Sequence, residues 1–139
     1  MSTVIRADIS AKNPYWISRH RYYELKHFCL QYSEWKRELS DLSSIKNQTF
    51  ITATHSDSGT FSNPTADCAE KMIFLKNRIA IIEKTAHDTA PDLAKYILKG
   101  ATEGLSYTYL KSKLEIPCCK DKYYELYRKF FWLLSNARN

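Results

Sequence analysis

Two sets of residues have types and spacings that invite chemistry. The first is the adjacent pair Cys118 and Cys119 in "SKLEIPCCKDKYYELYRK". Vicinal thiols can form a redox couple or bind a soft metal, and a thiol at a helix start can be a nucleophile. Two adjacent cysteines strain to ligate one ion, however. No CxxC or HxxxH spacing supplies a second pair, and His20, His27, His55 and His87 are scattered. The second set is His20, Glu24 and His27, whose His-x-x-x-Glu-x-x-His spacing would gather three metal ligands on one helical face. Two surface histidines on an amphipathic helix are the commoner origin of such a pattern. A phosphate loop is not expected, because the chain has only three glycines and none lies in a cluster. Neither paired carboxylates nor a Ser-His-Asp arrangement stands out by spacing. The expectation is a protein with no catalytic residues, metal or cofactor, whose cysteines pack as small hydrophobes at a turn.

The elements that would carry these residues are helical. With 139 residues, 44% hydrophobic and 26% charged, the chain fits one folded domain over 1–139. No apolar run approaches the roughly 20 residues of a membrane span, so no membrane partner is expected. The start, "MSTVIRADISAKNPYW", lacks the apolar core of a secretory signal, which points to the cytoplasm and to reduced thiols. The formal net charge is +6 and it is uneven. Residues 1–40 hold seven basic and four acidic groups, 41–105 seven and eight, and 106–139 seven and three. An anionic partner at the ends of the chain is the reading.

Tyr22, Leu25, Phe28, Cys29, Tyr32, Trp35 and Leu39 recur at steps of three and four, which predicts a first helix over 18–39. Residues 40–63, rich in Ser, Thr, Asp and Asn, read as a loop. Asn63 and Pro64 then form a cap and first-turn signal for a second long helix, carrying Ala69, Met72, Leu75, Ile79, Ile82 and Ala86 on one face. That stripe allows a homodimer through a coiled coil over 64–88 or a hairpin with the first helix, and its three heptads favour the hairpin. The middle helices end at Gly100, the last of them capped by Thr89 with Pro91 in its first turn. Ser106, with Leu105 and Leu110 placed as a hydrophobic staple, starts a helix over Tyr107–Leu114. Ile116-Pro117 ends it, and a final helix runs from about Lys120 to Ser135.

The fold expected is therefore all-α, about five helices: a long helical hairpin supporting a C-terminal helix-turn-helix over 106–136. Cys118 and Cys119 would sit in its turn. Lys111, Lys113, Lys120, Lys122, Arg128 and Lys129 are the candidate phosphate contacts on double-stranded DNA, with Tyr123, Tyr124 and Tyr127 stacking or hydrogen-bonding near the groove. Leu126, Phe130, Leu133 and Leu134 would anchor the last helix to the core. In "ISRHRYYELKHF", Arg19, Arg21 and Lys26 could add phosphate contacts, whereas Tyr22, Leu25 and Phe28 read as core.

The blocks "NPYWISRHRYYELKHFCLQY", "NPTADCAEKM" and "YILKGATEGLSYTYLKSKLEIPCCKDKYYELYRKFFWLL" resemble a group of uncharacterised proteins encoded by phages and prophages of Clostridia-like bacteria. From about Asn63 onward the layout is also similar to phage transcriptional regulators of the ArpU and RinA type, whose C-terminal part resembles the helix-turn-helix of sigma-factor region four. The resemblance implies a transcriptional regulator working in the host cell of a phage or prophage, with its DNA-reading region at Lys120 to Lys129. Glu115 stands where many helix-turn-helix turns carry Gly, and the turn is a residue or two longer than usual. A different class of function is a module that engages a host or phage protein, such as a packaging component or an inhibitor of a host nuclease. The positive charge disfavours mimicry of nucleic acid and leaves steric blocking.

Overall fold

The computed structural model describes residues 13–53 and 64–138, with side chains described over 13–44 and 66–138. Every regular element among them is a helix: α1 (Arg19–Leu30), α2 (Tyr32–Ala53), α3 (Pro64–Thr89), a 3-10 turn (Pro91–Leu93), α4 (Ala94–Glu103), α5 (Tyr107–Leu114) and α6 (Lys120–Ala137). The fold is all-α, as expected. Where a single domain was expected, the residues group into two compact units: Ser33–Ala80, and the residues up to Tyr32 together with those from Ile81 onward.

The smaller unit is an antiparallel hairpin of α2 and the first part of α3. Trp35, Leu75 and Ile79 are buried. As numbers fall along α2 they rise along α3: the Cys68 thiol donates to the Leu42 carbonyl at 3.6 Å, Lys71 pairs with Glu38 at 2.7 Å, and the Arg78 guanidinium lies 5.4 Å from the centre of the Trp35 ring. Two expectations change here. The predicted first helix, 18–39, is broken at Gln31, whose backbone N–H turns to the Phe28 carbonyl (3.3 Å) and whose side-chain amide donates to the His27 carbonyl (3.2 Å). These bonds satisfy the last carbonyls of α1 without a Gly or Pro. Beyond Leu39, residues 40–53 continue α2 instead of forming a loop. The Leu42–Cys68 contact ties part of that stretch to α3, so tertiary packing outweighs the weak helix propensity of Ser and Thr. Residues 54–63 of the expected loop, and the Asn63 cap, lie outside the described residues. Pro64 opens α3 as predicted.

The larger unit is built around α1, α4 and α6, which pack on one another. Ser18 caps α1, its hydroxyl accepting from the Arg21 N–H at 3.4 Å. Just upstream, Asn13 accepts from Tyr15 N–H on its side chain (2.8 Å) and from Trp16 N–H on its carbonyl (3.0 Å), the local turn that Pro14 permits. Tyr22, Leu25, Phe28 and Cys29 of α1 meet Leu126, Phe130, Phe131 and Leu134 of α6 in the core. Arg21 fastens the start of α1 to the end of α6: its Nε donates to the Ser135 hydroxyl and its Nη2 to the Ser135 carbonyl, both at 3.0 Å.

Two smaller expectations also change. Thr89 does not cap the following turn; its hydroxyl donates back to the Thr85 carbonyl at 2.7 Å, and the capping position falls to Ala90. Nor does Gly100 end α4. The exit is Gly104, in the left-handed conformation at φ 68°, while Gly100 lies within the helix directly beneath the Tyr123 hydroxyl, where a Cβ would collide. Its role is close approach, not chain reversal.

Candidate nucleic-acid interface

α5, the connection 115–119 and α6 form a tied unit. Ser106 accepts from the Tyr109 N–H at 3.2 Å and starts α5, as its position before the apolar run predicted. Leu110, Ile116 and Tyr123 are buried together, and Leu105, Leu114 and Cys118 pack against them. Glu115 ends α5 at φ 54° and ψ 47°, the one non-glycine with positive φ among the described residues. It holds the left-handed conformation for which glycine is the usual choice, and this lets its own N–H and that of Ile116 turn back to the Leu110 carbonyl, at 3.1 Å from Ile116. The Tyr107 hydroxyl donates to the Cys118 carbonyl at 2.6 Å, fastening the far side of the connection.

This packing gives the vicinal cysteines a structural place. Cys118 is half-buried in the cluster and Cys119 is exposed at the start of α6, where its side chain makes no capping hydrogen bond. Burial, and then the neighbouring Cys119, push the Cys118 thiol up, against a weaker opposing pull from Lys111 and Lys122. Thiolate formation at Cys118 is disfavoured, the reverse of what a nucleophile needs. Cys29 is wholly buried and its thiol is pushed far up by desolvation. His20, Glu24 and His27 are exposed on α1. The Glu24 carboxylate is engaged by Arg21 at 2.8 Å, and that hydrogen bond holds it below the usual carboxylate range. Among the described residues no three His, Cys, Asp or Glu gather as a metal site.

The candidate DNA contacts divide sharply. Lys111 and Lys113 on α5 and Lys120 and Lys122 on the first turn of α6 are exposed. All four lie within about a turn of the 115–119 connection, and Lys111 and Lys122 are the ones that oppose the rise of the Cys118 thiol. The tyrosines are a correction. Tyr123 is 1% exposed and cannot reach a groove. Tyr127 is drawn into the core, its hydroxyl 2.9 Å from that of Tyr22 and its ring 4.9 Å from Phe131. Tyr124 is half-buried with its hydroxyl 3.5 Å from the Tyr107 N–H. The reason is periodic: Tyr123, Leu126, Tyr127, Phe130 and Leu134 form the apolar face of α6.

Arg128 and Lys129 are half-buried. Arg128 lines a cleft of about 350 Å³ with Asp121, Glu125, Asn13, Pro14 and Tyr15, and its Nε is enclosed without a hydrogen-bond partner. Tyr15 also packs on Trp132, ring centres 5.7 Å apart, so the segment before α1 lies along the outward face of α6. The uncovered cations of α6 that face the connection are therefore those of its first turn, Lys120 and Lys122. The sequence reading missed Tyr109, which is 45% exposed on α5 one turn before Lys113. The signal was its place at i−4 from that lysine, about 100° round the helix from Leu110.

Comparison with protein-family models, with curated proteins and with solved structures gives no match.

Proposed function

We propose that the chain is a phage-encoded DNA-binding protein, a transcriptional regulator in which α5, the 115–119 connection and α6 act as a helix-turn-helix. The observation that carries this is the exposure of Lys111 and Lys113 near the end of α5 and of Lys120 and Lys122 at the start of α6, on either side of a connection fixed by the buried Leu110, Ile116 and Tyr123. The positive end of α6 adds to that field, since its first-turn amides have no side-chain cap from Cys119. Clustered cations at two helix ends suit phosphates on either side of a groove, and the exposed hydroxyls of Thr108 and Ser112 on α5 add neutral donors. The contact falls on α5 and the first turn of α6, a smaller surface than the whole of Lys120 to Lys129.

The test is binding to random-sequence duplex DNA over a salt series, with a K111Q/K113Q/K120Q/K122Q variant alongside. Affinity is expected to fall with salt, and each lysine that no longer neutralises a phosphate should flatten the slope of log K against log salt by about 0.9. Equal binding by the two proteins overturns the reading. A second reading, engagement of a host or phage protein, is favoured by Ile73 and Phe74, which stand 59% and 53% exposed on α3. Recovery of one stoichiometric host protein that is lost with I73D/F74D would support it.

A further inference from the structure

The outer face of α1 has a composition the duplex reading does not use. Tyr22, Leu25, Phe28 and Cys29 turn inward, which leaves Arg19, His20, Tyr23 and His27 exposed and Lys26 half-buried. His20, Tyr23 and His27 recur at steps of three and four and so share one face, flanked by Arg19 and Lys26, which are about 10 Å apart along the helix axis. Trp16, two residues before the Ser18 cap, is 40% exposed and Tyr23 37%. Two large aromatic surfaces thus stand within eight residues of chain among basic groups. The one acid on this stretch, Glu24, is paired with Arg21, whose other nitrogens are fixed on Ser135. The face therefore carries basic and aromatic groups, and Glu24 is paired within the fold.

We propose that this face of α1, together with Trp16 in the segment leading into it, binds single-stranded nucleic acid, with bases stacking on Trp16 and Tyr23 and phosphates met by Arg19 and Lys26. Exposed aromatics set among cations are the combination that holds an unpaired strand, because every base offers a ring face and the backbone offers a regular line of charge. A closed duplex offers no free ring face. A membrane surface is the poorer fit: an interfacial helix inserts an apolar face, and the apolar face of α1 is spent in the core. None of these residues lies on α5 or α6, so the face stands or falls apart from the duplex reading.

The experiment is fluorescence anisotropy of the full chain with a short labelled oligothymidylate, and in parallel with a duplex, heparin and anionic vesicles. W16A/Y23A should weaken oligothymidylate binding about tenfold while W16F/Y23F stays close to the parent, since ring faces and not hydroxyl or indole N–H groups make the contact. Duplex binding should be unchanged in both, and K111Q/K113Q/K120Q/K122Q should show the opposite pattern. If the parent binds oligothymidylate but no duplex, the duplex reading falls and this one stands. Undetectable binding of oligothymidylate, equal binding by W16A/Y23A, a matching loss for heparin, or binding to vesicles alone overturns the inference.

Discussion

All ten tyrosines of the chain lie in the larger unit, and none lies in the Ser33–Ala80 hairpin. The two regions solve burial differently. The hairpin closes on Trp35, Leu75 and Ile79, with Arg78 spread over Trp35 and, at 4.3 Å, over Phe74. Among its polar ties are an exposed ion pair and a weak thiol bond, neither of which constrains the core. The larger unit packs phenols in its interior and must place each hydroxyl. Tyr22 and Tyr127 bond each other, Tyr32 donates to the Glu83 carboxylate, Tyr107 reaches the Cys118 carbonyl, and the Tyr123 hydroxyl has no partner. A core of this kind is specific but sensitive, because each buried hydroxyl adds a condition that aliphatic packing does not impose.

Alkali should break that comparison most strongly. Burial pushes Tyr32, Tyr123 and Tyr127 above the usual phenol value of about 10, so the folded state holds these protons more tightly than the unfolded chain. Their contribution is complete below pH 10 and is lost as pH rises above it. Tyrosinate absorbance and circular dichroism followed together should show a cooperative loss of the larger unit's structure above pH 10. Gradual titration of all ten tyrosines without structural change would contradict the burial described.

Next in size is Leu110→Ala, expected to cost about 2–5 kcal/mol in urea unfolding because the side chain is fully enclosed between α5, Ile116 and Tyr123. Smaller, and sharper as a test, is Gly100→Ala, which forces a methyl group against the Tyr123 hydroxyl and should cost about 1–3 kcal/mol. In a Tyr123→Phe background most of that cost should vanish, and Tyr123→Phe alone should be neutral or stabilising since the hydroxyl it removes is unpartnered. Additive effects would contradict the close approach of the two helices. Glu115→Gly should stabilise by about 1 kcal/mol by relieving a left-handed backbone under a Cβ. In the hairpin, Lys71→Ala should change stability by less than about 1 kcal/mol, because both partners are near half-exposed.

The sequence made legible what local chemistry decides. Ser106 and Pro117 bracket α5, and Tyr107–Leu114 matches the expected range residue for residue. The break at Gln31 left no signal, because the apolar period runs through it and the residue is neither Gly nor Pro. Residues 40–53 read as loop because their helix is secured by a partner 26 residues away at Cys68, which composition does not register. At the candidate site Lys111, Lys113, Lys120 and Lys122 are exposed, whereas Tyr123 and Tyr127 are not. Tyr123 and Tyr127 stand four apart in register with Leu126, Phe130 and Leu134, so the α6 period itself marked them as interior. Reading them by residue type instead of by face caused the error.

The Arg21–Ser135 link spans 114 residues. In the hairpin, by contrast, Cys68 reaches back only 26 residues to Leu42. During synthesis these distances become an order of events. The hairpin can pair soon after α3 emerges, while α1 has no α6 to cover Tyr22, Leu25 and Phe28 until about a hundred further residues are made. For that interval α1 is an apolar surface in search of a cover, the stage at which a chaperone would bind this chain and at which a truncated chain would aggregate.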